Sequence, residues 1–139
     1  THDSLIKLAN ELDVSDKVEF TGLVSNPEKY YQSADVYIQS SHREAMPMSV
    51  LQAMMAKMPI ISTNVGGLDD VVKENGYLID DNDIMNLSKR METLILMDKE
   101  RLSYMKGKSR EIAMKYSSEG MALSYMKIFD ELLSNDSDK

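Results

Sequence analysis

The residues with the clearest chemical potential lie in one loop, residues 40–47, which the sequence places between a short apolar strand and a helix. Ligands of open parallel sheets bind at such junctions, where strands end and helices begin. The helix that starts after Pro47 presents unpaired backbone N–H groups and the positive end of its dipole, which suit a phosphate or pyrophosphate. The Glu44 carboxylate can accept hydrogen bonds from two neighbouring sugar hydroxyls, although the same spacing also fits a solvated loop carboxylate.

Three further residues are expected near this junction. Gln52 follows Glu44 by eight positions, so it can reach back toward a ligand at the start of the helix, or it is a surface glutamine. Gly66 and Gly67 follow the next apolar strand and therefore lie at the same edge of the sheet. Two glycines permit close approach of the backbone to a ligand, and they equally form an ordinary tight turn.

The other polar residues indicate neither a metal site nor a cysteine or histidine catalyst. The chain has no cysteine and two histidines, so it has no thiolate ligand, and His42 has no second imidazole nearby in sequence. Asp80, Asp81 and Asp83 fit a turn and a helix cap better than a calcium loop, which needs a glycine and a terminal glutamate. We therefore expect no metal and no cofactor.

The surrounding pattern predicts strands that alternate with helices. Apolar and β-branched runs predict four strands, at residues 17–21, 34–39, 60–62 and 77–79. Helical periodicity and proline positions predict helices at residues 1–12, 27–33, 47–58 and 68–73, with three more after residue 83. This order favours a Rossmann-like α/β fold, with a parallel sheet of about four strands, helices on both faces and a helical C-terminal tail. The domain is expected to cover residues 1–133, and residues 134–139 to form a polar tail.

Composition excludes several classes of protein. A chain of 139 residues with 42% hydrophobic and 28% charged residues has the size and balance of one globular domain and not of a disordered segment. Its formal net charge of −7 disfavours binding to nucleic acid or to an anionic membrane surface. No apolar run approaches the roughly 18 to 20 residues that span a bilayer, so we expect a cytoplasmic protein. Five methionines at helical spacing are expected to fill the core: Met54, Met55, Met58, Met91 and Met105.

A series of short segments, taken together, resembles a known family. The segments read KVEFTG at 17–22, ADV at 34–36, SHREAMP at 41–47, VLQAM at 50–54, PIIST at 59–63, VGG at 65–67 and NGYL at 75–78. Their order and spacing are similar to the donor-binding half of retaining glycosyltransferases of the GT-B fold, group 1 type and family 4-like. The resemblance covers nearly the whole chain.

The resemblance implies a role for each matching residue in a nucleotide-sugar donor site. Glu44 matches the first glutamate of the family's E-x7-E signature, which contacts hydroxyls of the transferred sugar. The segment Ala45-Met46-Pro47-Met48 matches the part whose backbone amides approach the sugar and the diphosphate, and Gly66-Gly67 matches the glycine turn of the family. Gln52 stands where a second glutamate holds the ribose hydroxyls, and its amide lacks the charge-assisted part of that hydrogen bond.

The resemblance also implies parts that are not found in this sequence. In the family, two strands and a helix that carry a basic Arg and Lys pair precede the strand at residues 17–21, and an acceptor-binding domain precedes them. We therefore expect the chain to be a piece of a glycosyltransferase that is inactive alone. The complete enzyme would transfer a sugar from a UDP- or GDP-sugar to a glycan or lipid-linked acceptor with retention. Its association with a membrane would be at most peripheral.

Two alternatives stay open beside this interpretation. The first alternative is a non-catalytic module of the same fold that docks on a catalytic partner. It is favoured by Gln52, which replaces a family glutamate, and by Ala45 and Lys57, which replace family glycines. The second alternative is a nucleotide-sugar epimerase of the same fold.

Overall fold

The structure, a computed structural model, describes residues 2–136 of the chain. Its helices are α1 (His2–Glu11), α2 (Glu28–Ser33), α3 (Met48–Met55), α4 (Leu68–Val71), α5 (Ile84–Ile95), α6 (Lys99–Lys115) and α7 (Ser118–Asp136). Its strands are β1 (Tyr37–Gln39), β2 (Ile60–Thr63) and β3 (Gly76–Ile79), and a 3-10 turn covers Ser15–Lys17.

The three strands form one parallel sheet in the order β1-β2-β3. Tyr37 of β1 lies opposite Ile60 of β2, which lies opposite Gly76 of β3. Parallel neighbours require a crossover, which α3 supplies between β1 and β2 and α4 supplies between β2 and β3. The carboxyl ends of all three strands therefore meet at one edge, and the predicted α/β class is confirmed.

The central strand β2 divides the core into two parts. All four residues of β2 are buried, and Ile60 and Ile61 point to opposite faces of the sheet because side chains alternate along a strand. Ile60 packs in a cluster with residues of α3, α4 and α6, whereas Ile61 packs with Ile79, Leu94 and Met105. Helices thus cover both faces, as predicted, and this packing holds the strand ends in place for a site.

The predicted strand at residues 17–21 is wrong. The 3-10 turn ends at Lys17, and residues 18–21 contain no paired strand. Val18 has extended backbone angles, but it is 41% exposed and Phe20 is 38% exposed. A strand exists only when a neighbour supplies its hydrogen-bond ladder, and no described segment lies beside this one in a sheet. The described sheet therefore has three strands where the sequence predicts about four.

The methionine prediction is partly correct. Met54, Met58 and Met105 are buried in the core, as expected. Met55 and Met91 are 37% and 41% exposed, because each lies on the outer side of its helix. Helical spacing alone does not show which residues of an apolar helical pattern face the core.

The last helix extends into the segment that the sequence predicts to be a polar tail. Helix α7 continues through residues 134–136, the first half of the predicted polar tail, while residues 137–139 lie outside the described part, as does residue 1. The large apolar residues of α7 are exposed rather than buried: Met121, Leu123, Tyr125, Met126, Ile128, Phe129, Leu132 and Leu133. Their spacing correctly predicts a helix but not its surroundings.

Candidate functional site

The loop of residues 40–47 joins β1 to α3 at the carboxyl edge of the sheet. Thr63, the last residue of β2, donates a hydrogen bond of 2.6 Å from its hydroxyl to the Ser41 carbonyl. The His42 ring nitrogen Nδ1 lies 2.6 Å from Oδ1 of Asp81, which is in the turn after β3. The first half of the loop is therefore tied to both neighbouring strand ends.

The second half of the loop packs against the turn that contains Gly66 and Gly67. The Gly67 N–H donates a hydrogen bond of 2.8 Å to the Ala45 carbonyl. Gly66 has a φ of +61°, and a Cβ at this position would lie 2.2 Å from the Ala45 carbonyl oxygen and 2.5 Å from that of Glu44. The space beside Gly66 is therefore filled by the backbone of the loop and not by a ligand. An ordinary tight turn accounts for the glycine at this position.

Glu44 is exposed, and its carboxylate has one described partner. The Ser41 hydroxyl donates a hydrogen bond of 2.9 Å to Oε1 of Glu44. Within residues 2–136, no salt bridge involves Glu44. The carboxylate therefore keeps free acceptor capacity for hydroxyl groups of a ligand.

The loop ends at the amino terminus of α3, where no side chain caps the helix. Pro47 is buried and occupies the N-cap position in an extended conformation, without a side-chain hydrogen bond. Met46 is half-buried against the core, whereas Met48, the first residue of α3, is 64% exposed. In the first turn of α3 the Val50 N–H donates to the Pro47 carbonyl at 3.1 Å, while the N–H groups of Met48 and Ser49 have no hydrogen-bond partner among the described residues.

Gln39 fastens β1 to the start of α3 and was not identified from sequence. Its Oε1 accepts hydrogen bonds from the hydroxyls of Tyr37, at 3.2 Å, and Ser49, at 3.3 Å. Gln39 is 8% exposed, and its Nε2 has no hydrogen-bond partner among the residues described. A glutamine in a short apolar strand was the sequence signal that could have revealed this contact.

Gln52 lies on the side of α3 that faces α2. Its Oε1 accepts a hydrogen bond of 3.4 Å from the Tyr31 hydroxyl. Burial raises the pKa of Tyr31, and the neighbouring Tyr37 raises it further. Gln52, Tyr31 and Met48 line a groove of about 680 Å³, which Glu44 does not line. Among the described residues, Glu44 and Gln52 therefore do not line a common groove.

A smaller groove of about 280 Å³ separates the loop from the turn after β3, and His42, Thr63 and Asp81 line it. Asp83 accepts a hydrogen bond of 3.0 Å from the Asn86 N–H and caps α5, as the sequence predicts.

In the described part of the chain, no three His, Asp or Glu side chains are arranged to hold a metal ion. No helix within residues 2–136 is long and apolar enough to cross a membrane.

Comparison with known proteins identifies the family. The family model described as Glycosyl transferases group 1 matches residues 1–111. The chain belongs to this family of glycosyltransferases. An uncharacterised glycosyltransferase of Haemophilus influenzae is 32% identical over 120 residues, which are 84% of this chain and 34% of the relative. This glycosyltransferase chain therefore spans about a third of the length of that relative.

Solved structures show the same fold for this glycosyltransferase chain. HepE of Anabaena in complex with UDP superposes with a TM-score of 0.80 at 19% identity, over 95% of this chain and 36% of HepE. The C-terminal domain of the group 1 glycosyltransferase LpcC of Francisella tularensis has a TM-score of 0.74 at 20% identity, over 84% of this chain and 63% of that domain. The predicted Rossmann-like GT-B fold and the predicted family are confirmed.

The structure brings together most residues that the sequence analysis singles out in this chain. Glu44, the segment Ala45-Met46-Pro47-Met48 and the Gly66-Gly67 turn lie at the carboxyl edge of the sheet, where the loop backbone contacts the glycine turn. Gln52 lies farther along α3. Sequence analysis missed the residues that anchor the loop, which are Gln39, Ser41, Thr63, and the His42 and Asp81 pair.

Proposed function

We propose that this chain forms part of the donor site of a retaining glycosyltransferase. The complete enzyme would transfer a sugar from a UDP- or GDP-sugar to a glycan or lipid-linked acceptor. The observation that carries the proposal is the exposed Glu44 carboxylate, held beside the uncapped amino terminus of α3 at the carboxyl edge of the sheet. A carboxylate can accept hydrogen bonds from sugar hydroxyls, and a helix amino terminus can bind a diphosphate, so the two groups suit the two parts of a nucleotide-sugar.

The same geometry suggests how the residues act. The first N–H groups of α3 and its dipole would stabilise the negative charge that develops on the leaving diphosphate when its bond to the anomeric carbon breaks. Glu44 would hold the transferred sugar. The acceptor hydroxyl oxygen would bond to the anomeric carbon on the face that the diphosphate leaves, and the departing diphosphate would take up the hydroxyl proton. The negative charge of the diphosphate also requires a basic pair of residues, which a further part of the enzyme would supply. A second domain would bind the acceptor. We propose no metal or cofactor, a cytoplasmic location, and at most peripheral contact with a membrane.

Nucleotide titration tests this proposal directly. Calorimetry with UDP, GDP, UDP-glucose, UDP-N-acetylglucosamine and GDP-mannose should show that the chain binds one nucleotide series with a Kd tighter than roughly 1 mM. HepE was solved with UDP, which makes the uridine series the first to test. Absence of binding by all five compounds would exclude a functional donor site in this chain.

Gln52 provides a second test of the donor site. The Gln52→Glu variant should bind the nucleotide about fivefold more tightly, because a carboxylate restores a charge-assisted hydrogen bond worth about 1 kcal/mol. Gln32 lines the same groove from α2, so Gln32→Glu adds the same charge as a matched control and should leave the Kd unchanged. Equal effects of both variants, or none from Gln52→Glu, would remove Gln52 from the site.

A non-catalytic interaction module is the second candidate. Lys57 has a φ of +63°, the left-handed conformation for which the family's glycine is suited, so this position departs from the family at a cost in strain. The exposed apolar residues of α7 also offer a surface for another protein domain. Failure to bind any nucleotide would favour this candidate, whereas epimerised nucleotide-sugar among the products would favour an epimerase.

A further inference from the structure

We infer that Ser41 is a positioning residue that orients the Glu44 carboxylate toward the donor sugar. This inference rests on the proposed function, because it assumes that Glu44 contacts the sugar. It assigns to Ser41 no contact with the ligand and no part in bond making. Its effect passes entirely through the hydrogen bond of 2.9 Å from the Ser41 hydroxyl to Oε1 of Glu44.

The first step of the argument is that the Ser41 backbone is held in place. Thr63 is 3% exposed at the end of the fully buried strand β2, and its hydroxyl donates to the Ser41 carbonyl at 2.6 Å. Ser41 itself is half-buried. Because the central strand is the most rigid part of the sheet, the Ser41 hydroxyl starts from a defined position.

The second step is that the chain on each side of Glu44 is also anchored. His42 pairs with Asp81 at 2.6 Å before Glu44, and the Ala45 carbonyl accepts from the Gly67 N–H at 2.8 Å after it. The chain is therefore bound to the neighbouring turns two residues before Glu44 and one residue after it. Under these conditions a short serine side chain can hold a long glutamate side chain in one orientation.

The third step concerns the two carboxylate oxygens. Oε1 of Glu44 accepts from Ser41, while no described residue donates to Oε2. An exposed glutamate with no such contact populates several rotamers, and ordering it when the sugar binds costs free energy. Because Ser41 orders the Glu44 side chain when the loop folds, this free energy is not lost again when the sugar binds. Oε2 and the remaining lone pair of Oε1 stay available to sugar hydroxyls.

The test compares a nucleotide with its sugar. We would measure Kd values of UDP and UDP-glucose, or of the corresponding pair that the wild-type chain binds, for Ser41→Ala, Ser41→Thr and Ser40→Ala. In Ser41→Ala the nucleotide-sugar should bind about 5- to 10-fold more weakly, while the Kd of the nucleotide alone changes less than twofold. Ser41→Thr keeps a hydroxyl and should restore the affinity. Ser40→Ala removes a neighbouring exposed serine hydroxyl and should change neither value.

Two results would overturn the inference while the proposed function stands. One is an equal loss of affinity for both ligands in Ser41→Ala, which would mean that the loop has collapsed. The other is no loss for either ligand. If the wild-type chain binds no nucleotide, the proposed function fails instead.

A measurement without ligand keeps the inference testable in that case. Three-bond couplings of the Glu44 side chain, measured by NMR, should indicate one rotamer in the wild-type chain and Ser41→Thr and averaged rotamers in Ser41→Ala. Averaged couplings already in the wild-type chain would show that Ser41 does not orient Glu44.

Discussion

Replacement of Glu44 by alanine in a complete transferase that contains this chain is expected to lower kcat/KM for the nucleotide-sugar by about 100-fold or more. The carboxylate is exposed, held by Ser41, and adjacent to the amino terminus of α3. Hydrogen bonds to the hydroxyls of the reacting sugar fix its position relative to the diphosphate, so their loss raises the barrier to bond breaking as well as weakening binding. Steady-state kinetics with a saturating acceptor measure the effect.

Two further variants make the Glu44 result interpretable. Glu44→Gln keeps one acceptor oxygen and should lose less activity than Glu44→Ala. Glu92 is an exposed glutamate of α5 without a described side-chain partner, so Glu92→Ala should retain full activity. A near-normal rate for Glu44→Ala would refute its role in donor binding.

Replacement of Gly66 by alanine is expected to lower the free energy of unfolding by about 3 kcal/mol or more. The new Cβ would lie 2.2 Å from the Ala45 carbonyl oxygen, and the three nearest atoms, all within 3.0 Å of it, belong to the backbone of Glu44 and Ala45, which cannot move aside cheaply. The φ of +61° adds the strain of a left-handed conformation. Relief of the overlap would displace the loop that carries Glu44, so donor binding should weaken as well.

Gly22 offers a matched control for the Gly66 prediction. Its φ is +60°, but a Cβ there would meet no atom within 4 Å. Gly22→Ala should therefore cost only the backbone strain, about 1 to 2 kcal/mol. Urea unfolding of both variants separates the two contributions. Equal losses in the two variants would show that the contact of Gly66 with the loop does not matter for stability.

The sequence determined the class of fold because its signals are local. The β-branched run that forms β2, bounded by Pro59, identifies a buried parallel strand, and alternating helical patterns imply crossovers on both faces. From these two facts it follows that the loop after β1 and the turn after β2 share one edge of the sheet. The sequence pattern therefore predicts that Glu44 and Gly66 lie at the same edge of the sheet, where the structure brings their backbones together.

Local pattern failed where an element depends on a distant neighbour. Residues 17–21 have the composition of a strand, but strand formation requires a hydrogen-bonding partner, and none lies beside them in the described structure. The apolar spacing of α7 likewise indicates a helix, although the side chains are exposed. In both cases the amino-acid pattern describes a surface suited to burial and contains no information about what covers it.

Only the tertiary structure decided how the site is held together. Thr63 contacts Ser41 across 22 positions of sequence, and Asp81 contacts His42 across 39. Gly66 was expected at the edge of the sheet, but the atoms that fill the space around it are the carbonyls of Glu44 and Ala45. Contacts between residues so far apart have no periodicity along the chain, so they become visible only when the parallel sheet brings its strand ends together.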